Sequence, residues 1–225
     1  MWYPASVTTA PATEPVTVAQ AKQQCGVASS DKSDNDAFGR LIATERSYVE
    51  KYCGIKIVTQ AVTLKCDNFC NFERIPAAPI QSITSITYVD VDGVSQTLDT
   101  SVYEVRADGL ETSIVLQFGK SWPTIQRGSR IVVVAVVGFT DIPSELESAI
   151  LLRISGKFAV FGRDPTLRLE SIDGVIRRDW DFTGAMDKSL QDAVQDLLEN
   201  FRCWSALGDA MAPTILPTGS NYLYP

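Results

Sequence analysis

The hydrophobic period of this chain changes twice, and that double change limits the folds open to it. In "NDAFGRLIATERSYVEKYCG", Phe38, Leu41, Ile42, Val49, Tyr52 and Cys53 fall on one face at helical spacing, and Gly54 supplies a stop. From residue 55 the period becomes two. Val58, Val62 and Leu64 alternate with polar partners in "KIVTQAVTLKC", as a half-buried strand requires. Helical spacing then returns in "IPSELESAILLRISGKFAVFGR" through Leu146, Ile150, Ile154, Phe158 and Phe161. It recurs in "DKSLQDAVQDLLENFRCW" through Leu190, Val194, Leu197, Leu198 and Phe201.

Local signals fill in this frame. Thr17 is placed as the N-cap of a short helix in "TVAQAKQQCG", with Gln20 at the capping-box position and Gly26 as its end. Pro143 in the first turn and a Ser144–Glu147 capping box open the third helix. Within the strand-rich block, "IPAAPIQSITSITYVDVDGVSQTLD" reads as a proline-kinked entry, a strand, an Asp92-Gly93 turn and a returning strand. "SVYEV", "SIVLQF" and "SRIVVVAVVGF" read as three more strands, and the unbroken apolar run of the last predicts that both its faces are covered. Residues 164 to 186 read as a loop.

The order helix–helix, β block, helix–helix points to an α+β fold: a small helical bundle with an inserted antiparallel β domain and extended N- and C-terminal arms. The bundle is expected from residues 17–55 and 140–205, the β domain from 56–139, an N-terminal arm from 1–16 and a tail from 206–225. Four helices can bundle in this way if the two ends of the insertion lie close together.

Composition removes several function classes. Net charge is −7 and no Lys/Arg-rich run occurs, which argues against a protein held on nucleic acid by phosphate neutralisation. The longest apolar run, "IVVVAVV", is far short of the roughly 20 residues of a bilayer-spanning helix. The opening "MWYPASVTTAPATEP" has neither a basic residue nor an apolar core of a secretory signal, so a cytoplasmic site of synthesis is expected. Cys25, Cys53, Cys66, Cys70 and Cys203 are an odd, scattered set, unlike a disulfide framework.

Chemical motifs are few. The absence of His removes the commonest general base and metal ligand, and neither a Walker motif nor GxGxxG occurs. "CDNFC" offers half a metal site in Cys66 and Cys70, but no second ligand pair follows, so two free thiols are the plainer reading. Asp90 and Asp92 in "VDVDG" open like a calcium loop and then lose its ligand rhythm, which leaves turn chemistry. Asp179 and Asp181 in "RRDWDF" are read as exposed loop charge, and the Arg pair of "GVIRRDW" as a small anion or partner contact. No catalytic, cofactor or metal site is expected.

The tail "APTILPTGSNYLYP" has prolines at 213, 217 and 225 that forbid a regular helix. Its Ile215, Leu216, Tyr222, Leu223 and Tyr224 are unlike a solvated disordered end. They are read as anchors of a partner-binding arm, with a strap folded back on its own subunit as the alternative.

Several stretches together carry a resemblance: "EPVTVAQAK", "ATERSYVEKYCGIKIVTQAVTL", "RIPAAPIQSITSITYVDVDGVSQTLD", "SVYEVR", "GKSWP" and "GFTDIPSELESAILLRISGKF". In this order, over roughly residues 13 to 162, the chain resembles the head–tail connector (adaptor, or head completion) family of long-tailed bacteriophages. The turn "VASSDKSDND" and the stretch 163–186 are longer than the family pattern, and the tail has no counterpart in it. The resemblance implies a structural virion protein at the head–tail interface, not an enzyme, assembled in the bacterial host cytoplasm. Its implied partners are the portal protein, a stopper or tail-completion protein, and further copies of itself in a ring, usually a dodecamer. DNA would pass through the channel without sequence-specific binding, and no cofactor or membrane is involved. A stopper or tail-completion protein of the same neck is the neighbouring alternative. From a different class, a peptide- or carbohydrate-binding module would use the β domain, with Trp122 or Tyr103 as its platform.

Overall fold

Thr17 opens helix α1 (Val18–Gln24), and its capping box is complete. The Gln20 N–H donates to the Thr17 hydroxyl at 3.2 Å, and the Thr17 N–H donates to the Gln20 side chain at 2.7 Å. The computed structural model describes residues 1–160, 169–172, 176–179 and 185–203. Helix α2 (Asn35–Cys53) ends at Gly54 in the left-handed conformation, φ 70°. It buries Phe38, Ile42, Val49 and Cys53, while Leu41 and Tyr52 are half-buried at the edge of the stripe.

Helix α3 (Ser144–Val160) buries Leu146, Ile150 and Ile154. The expected Ser144–Glu147 box is not formed. Ser144 is the first helical residue, and its hydroxyl donates to the Glu145 carboxylate. The free N–H groups of Leu146 and Glu147 instead reach the Pro143 carbonyl, at 3.0 and 3.3 Å. Helix α4 (Ala185–Leu198) continues as a 3-10 turn (Glu199–Phe201). Val194 and Leu198 join the three other helices in one core, closed by the stacked rings of Phe38 and Phe158 at 5.0 Å.

The strands β1 (Trp2–Thr9), β2 (Gln60–Cys66), β3 (Ile80–Val89), β4 (Ser95–Thr97), β5 (Tyr103–Asp108), β6 (Glu111–Leu116) and β7 (Ile131–Val137) build two sheets. Five strands lie in the order β1-β2-β7-β3-β4, with every neighbouring pair antiparallel. β5 and β6 form a separate hairpin. A second core lies between them: Val62, Leu64 and Cys66 of β2, Ile86 of β3 and Ile131, Val133 and Ala135 of β7 meet Tyr103, Ile114, Phe69 and Phe72.

Two expectations are corrected and one is made more specific. β7 is not covered on both faces: Ile131, Val133, Ala135 and Val137 are buried, whereas Val132, Val134 and Val136 are half-buried on the other face. β-branching suits valine to a strand on either face, so an apolar run did not report burial there. The N-terminal segment is extended, as expected of the arm at 1–16, and its first part lies in the sheet. Residues 2 to 9 pair with β2, and Trp2 stacks on Phe72 while its indole N–H donates to the carbonyls of Asn71 and Arg74. Lastly, the stretch read as a loop contains the hairpin β8 (Leu169–Ile172) and β9 (Ile176–Asp179). The sequence between these strands begins Asp173-Gly174, the same turn signal as Asp92-Gly93.

The chain enters and leaves the β block side by side. The Phe139 N–H donates to the Ile57 carbonyl at 3.0 Å, and the Thr59 hydroxyl donates to the Phe139 carbonyl at 3.3 Å. Gly138 makes this approach feasible: its φ is 112°, and a Cβ there would sit 2.5 Å from the Val58 carbonyl carbon. Beside this seam the buried Glu50 of α2 accepts from four donors. They are Arg46 at 3.3 Å, Lys56 at 3.0 Å, the Ile57 N–H at 3.2 Å and the Gln60 amide at 3.5 Å. Arg46 also holds Glu14 at 2.7 Å, tying the lead-in to α1 to the same cluster.

Three tests follow from this packing. Ile150→Asp places an unpaired charge in the helical core and is expected to cost several kcal/mol, with Leu41→Asp milder because Leu41 is half-buried; chemical denaturation reads both, and unchanged stability would refute the core assignment. Glu50→Ala removes the acceptor shared by Arg46, Lys56 and two strand-entry donors, for an expected loss of about 2–4 kcal/mol. Cys53 in the helical core and Cys66 in the β core report on each core separately. Burial pushes both thiols up to about 12. With exposed Cys70 reacting first, a disulfide reagent at pH 8 should reach Cys53 and Cys66 only after unfolding. A thiol whose folded pKa is raised contributes stability below its ordinary pKa of 9, and that contribution is lost as pH rises from 9 towards 12.

Candidate assembly surfaces

Ile215, Leu216, Tyr222, Leu223 and Tyr224 lie outside the described residues, so their role stands as a proposal. Of the other singled-out residues, Arg177, Arg178 and Asp179 belong to β9, and Asp181 lies outside the described residues.

The residues named as a binding platform do not form one. Tyr103 is buried in the β core. Trp122 lies parallel to Phe69 with ring centroids 4.7 Å apart, and meets Phe72 edge-on at 5.5 Å. Its aromatic face is thus occupied by the protein's own core, and the aromatic signal in the sequence was a packing signal. Cys66 and Cys70 are free thiols, one buried and one exposed, and the Cys66 thiol donates to the Asn68 carbonyl at 3.5 Å. Among the described residues no group of three His, Cys, Asp or Glu is placed to hold a metal ion.

Asp90 is a turn residue. Its carboxylate accepts from the Gln96 amide at 2.9 Å and from the N–H groups of Val94 and Asp92 at 2.9 and 3.0 Å. These bonds, the Gln96 amide first, hold its pKa below the ordinary carboxylate value. Both oxygens are spent on closing the β3–β4 turn, which leaves the exposed carboxylate of Asp92, whose N–H is bound to Asp90, without a hydrogen-bond or ion-pair partner among the described residues. Val91 and Val94 flank it, 62% and 53% exposed. On the loop after β6, Phe118 is fully exposed.

A second surface lies at the opposite edge of the five-stranded sheet. The Tyr3 hydroxyl donates to Asp67 at 2.9 Å, and the N-terminal ammonium pairs with the same carboxylate at 3.2 Å. The Tyr3 hydroxyl, then the ammonium, lower the Asp67 pKa. The Arg130 guanidinium lies 4.0 Å from the centre of the Tyr3 ring, a cation–π contact.

On the bundle, arginines from other elements flank two stacked tyrosines of α2. Glu45 is buried and accepts from Arg153 at 2.6 Å, and Arg153 covers the Tyr48 ring at 3.5 Å. Tyr48 stacks with Tyr52, whose ring lies 5.0 Å from the Arg202 guanidinium. A narrow cleft beside them is lined by Gln191 and Gln195 of α4. Sequence spacing placed Tyr52 on the apolar stripe but could not anticipate Arg153 and Arg202, which arrive from α3 and from the segment after α4.

No protein-family model matches the chain, and no curated protein matches it by sequence. Solved structures do match. A chain described as "Neck of empty GTA particle computed with C6 symmetry" is similar with a TM-score of 0.64 at 16% identity, over 90% of this chain and 96% of that one. The similarity extends to "Virion of native gene transfer agent (GTA) particle" (TM-score 0.63, 17% identity) and to "Neck of native GTA particle computed with C12 symmetry" (TM-score 0.60, 16% identity), with the same shares of each chain covered. The fold of this α+β chain is therefore that of chains found in gene transfer agent particles, two of them in the neck.

Proposed function

We propose that the protein is a structural component of a phage-type virion neck, an adaptor whose copies form a ring on the portal of the head. The ring extends the DNA channel and receives the stopper or tail. The observation that carries this reading is likeness along nearly the whole of both chains to a neck structure. It is supported by the ordered resemblance of residues 13 to 162 to head–tail connectors. In this role the chain is not an enzyme; its function is the geometry of assembly. A net charge of −7 per subunit suits a channel wall past which DNA slides without being gripped.

The tail supplies the docking arm in this proposal, with Ile215, Leu216, Tyr222, Leu223 and Tyr224 as its anchors. Tyrosine buries a large area while keeping a hydrogen-bonding tip, and repetition of the arm around a ring adds multivalency to a modest single contact. Ring formation is expected on the partner rather than alone, so mass photometry of the dilute protein should give monomers or loose associations. Deleting residues 212 to 225 should leave melting nearly unchanged and abolish head–tail joining in an assembly assay. Normal joining by the truncated protein would show that the tail is not the arm. Electron microscopy of the neck with this chain labelled tests the adaptor reading itself: label on the tail side of another ring would make the chain a stopper or tail-completion protein.

A further inference from the structure

We propose that the β3–β4 hairpin tip of one copy docks on the Tyr3–Lys65–Arg130 corner of a second copy, and that this contact sets neighbouring subunits side by side in the ring. The inference rests on the ring reading above and assigns its contact surface. Sheet order puts the two patches on opposite edges of one sheet, because the tip joins β3 to β4 and the corner belongs to β1, β2 and the start of β7. Register puts them at the same end. Tyr3 is opposite Lys65, Lys65 opposite Val132, Val132 opposite Thr87 and Thr87 opposite Thr97, in one row across all five strands. The tip begins just beyond that row, after Val89. A rotation that brings the β4 edge of one copy to the β1 edge of the next therefore brings tip to corner, as a head-to-tail ring contact requires.

The chemistry of the patches is complementary. The tip presents Val91, Val94 and the free carboxylate of Asp92. Gln126, on the loop before β7, braces the base of the tip: its N–H donates to the Val89 carbonyl at 2.9 Å. The corner presents the exposed side chains of Lys65 and Arg130 around Asp67, with the Tyr3 ring, against which Arg130 lies, and Met1 as apolar surface. In a chain of net charge −7, a locally cationic corner is where an acidic, apolar tip from another copy meets attraction rather than repulsion. Strand addition does not compete for the same edges. β1 contains Pro4 and two breaks in register, and β4 has only three residues.

Sedimentation velocity on the full chain, from the dilute range to about 1 mM, tests the contact, since weak pairing becomes visible at that concentration. The wild-type chain should associate progressively. Asp92→Lys, and separately the double variant Lys65→Asp with Arg130→Glu, should each weaken association by roughly tenfold or more, with circular dichroism melts unchanged. An equimolar mixture of the two variants should recover it, because the reversed tip meets the reversed corner in alternate copies. Val94→Ser, which alters no charge, should also weaken association. Variants that associate like wild type, a mixture that does not recover, or a wild-type chain that stays monomeric throughout would each overturn the contact. The ring reading would survive those results, because microscopy of the labelled neck decides it independently.

Discussion

Glu50 is the residue on which the two halves of the molecule depend. It projects from the last turn of α2, yet three of its four donors, the Lys56 ammonium, the Ile57 N–H and the Gln60 amide, belong to the entry of the β block. A carboxylate buried this deeply is tolerable only when charge and hydrogen bonds compensate its lost hydration, and Arg46 and Lys56 supply the charge. The Ile57–Phe139 seam beside it closes a loop of about eighty residues into a junction only a few ångströms wide. The helices can then pack as though the insertion were a short connection.

Two separate cores follow from that junction. Bundle and β block each bury their own apolar residues, and each keeps a surface poor in core contacts but rich in arginine, tyrosine or exposed valine. Such surfaces suit a protein whose work is contact. The arginines of the bundle are already engaged, Arg153 with Glu45 and Tyr48, which holds the tyrosine rings in fixed orientation. At the far end of the β block, Asp90 consumes its hydrogen-bonding capacity inside the turn and so stiffens a tip that carries Asp92 outward. A rigid tip loses little conformational freedom when it docks.

Much of this was legible in the residues. The α1 capping box needs only Thr17 and Gln20 at the right spacing, and the α2 stripe ends where Gly54 permits a left-handed residue. Those signals are local, so the chain itself specifies them. Errors arose where a partner outside the recognised pattern decided, next door for Ser144 and far along the chain for Trp122. Ser144 could cap a helix, but the Pro143 carbonyl took the free N–H groups. Trp122 could be a platform, but Phe69 and Phe72 closed over it. Residues 2 to 9 read as an extended arm, and only β2, more than fifty residues away, supplies the edge that holds them in the sheet. For Asp173-Gly174 the signal was present and simply resembled that of the recognised hairpin.

By itself, then, the sequence determined the α+β order of elements, the lengths of α1 and α2, the position of the β3–β4 turn and the absence of histidine chemistry. Each of these depends on propensity, periodicity or residue type within a few positions of the chain. Only the tertiary structure decided that β1 joins the sheet, that β7 leaves one face half open and that Glu50 gathers the junction. It also decided that Lys65 and Arg130 share a corner opposite the tip of Asp92. Those facts depend on strand order and register, which are set by contacts between residues far apart in sequence and leave no periodic trace in either partner.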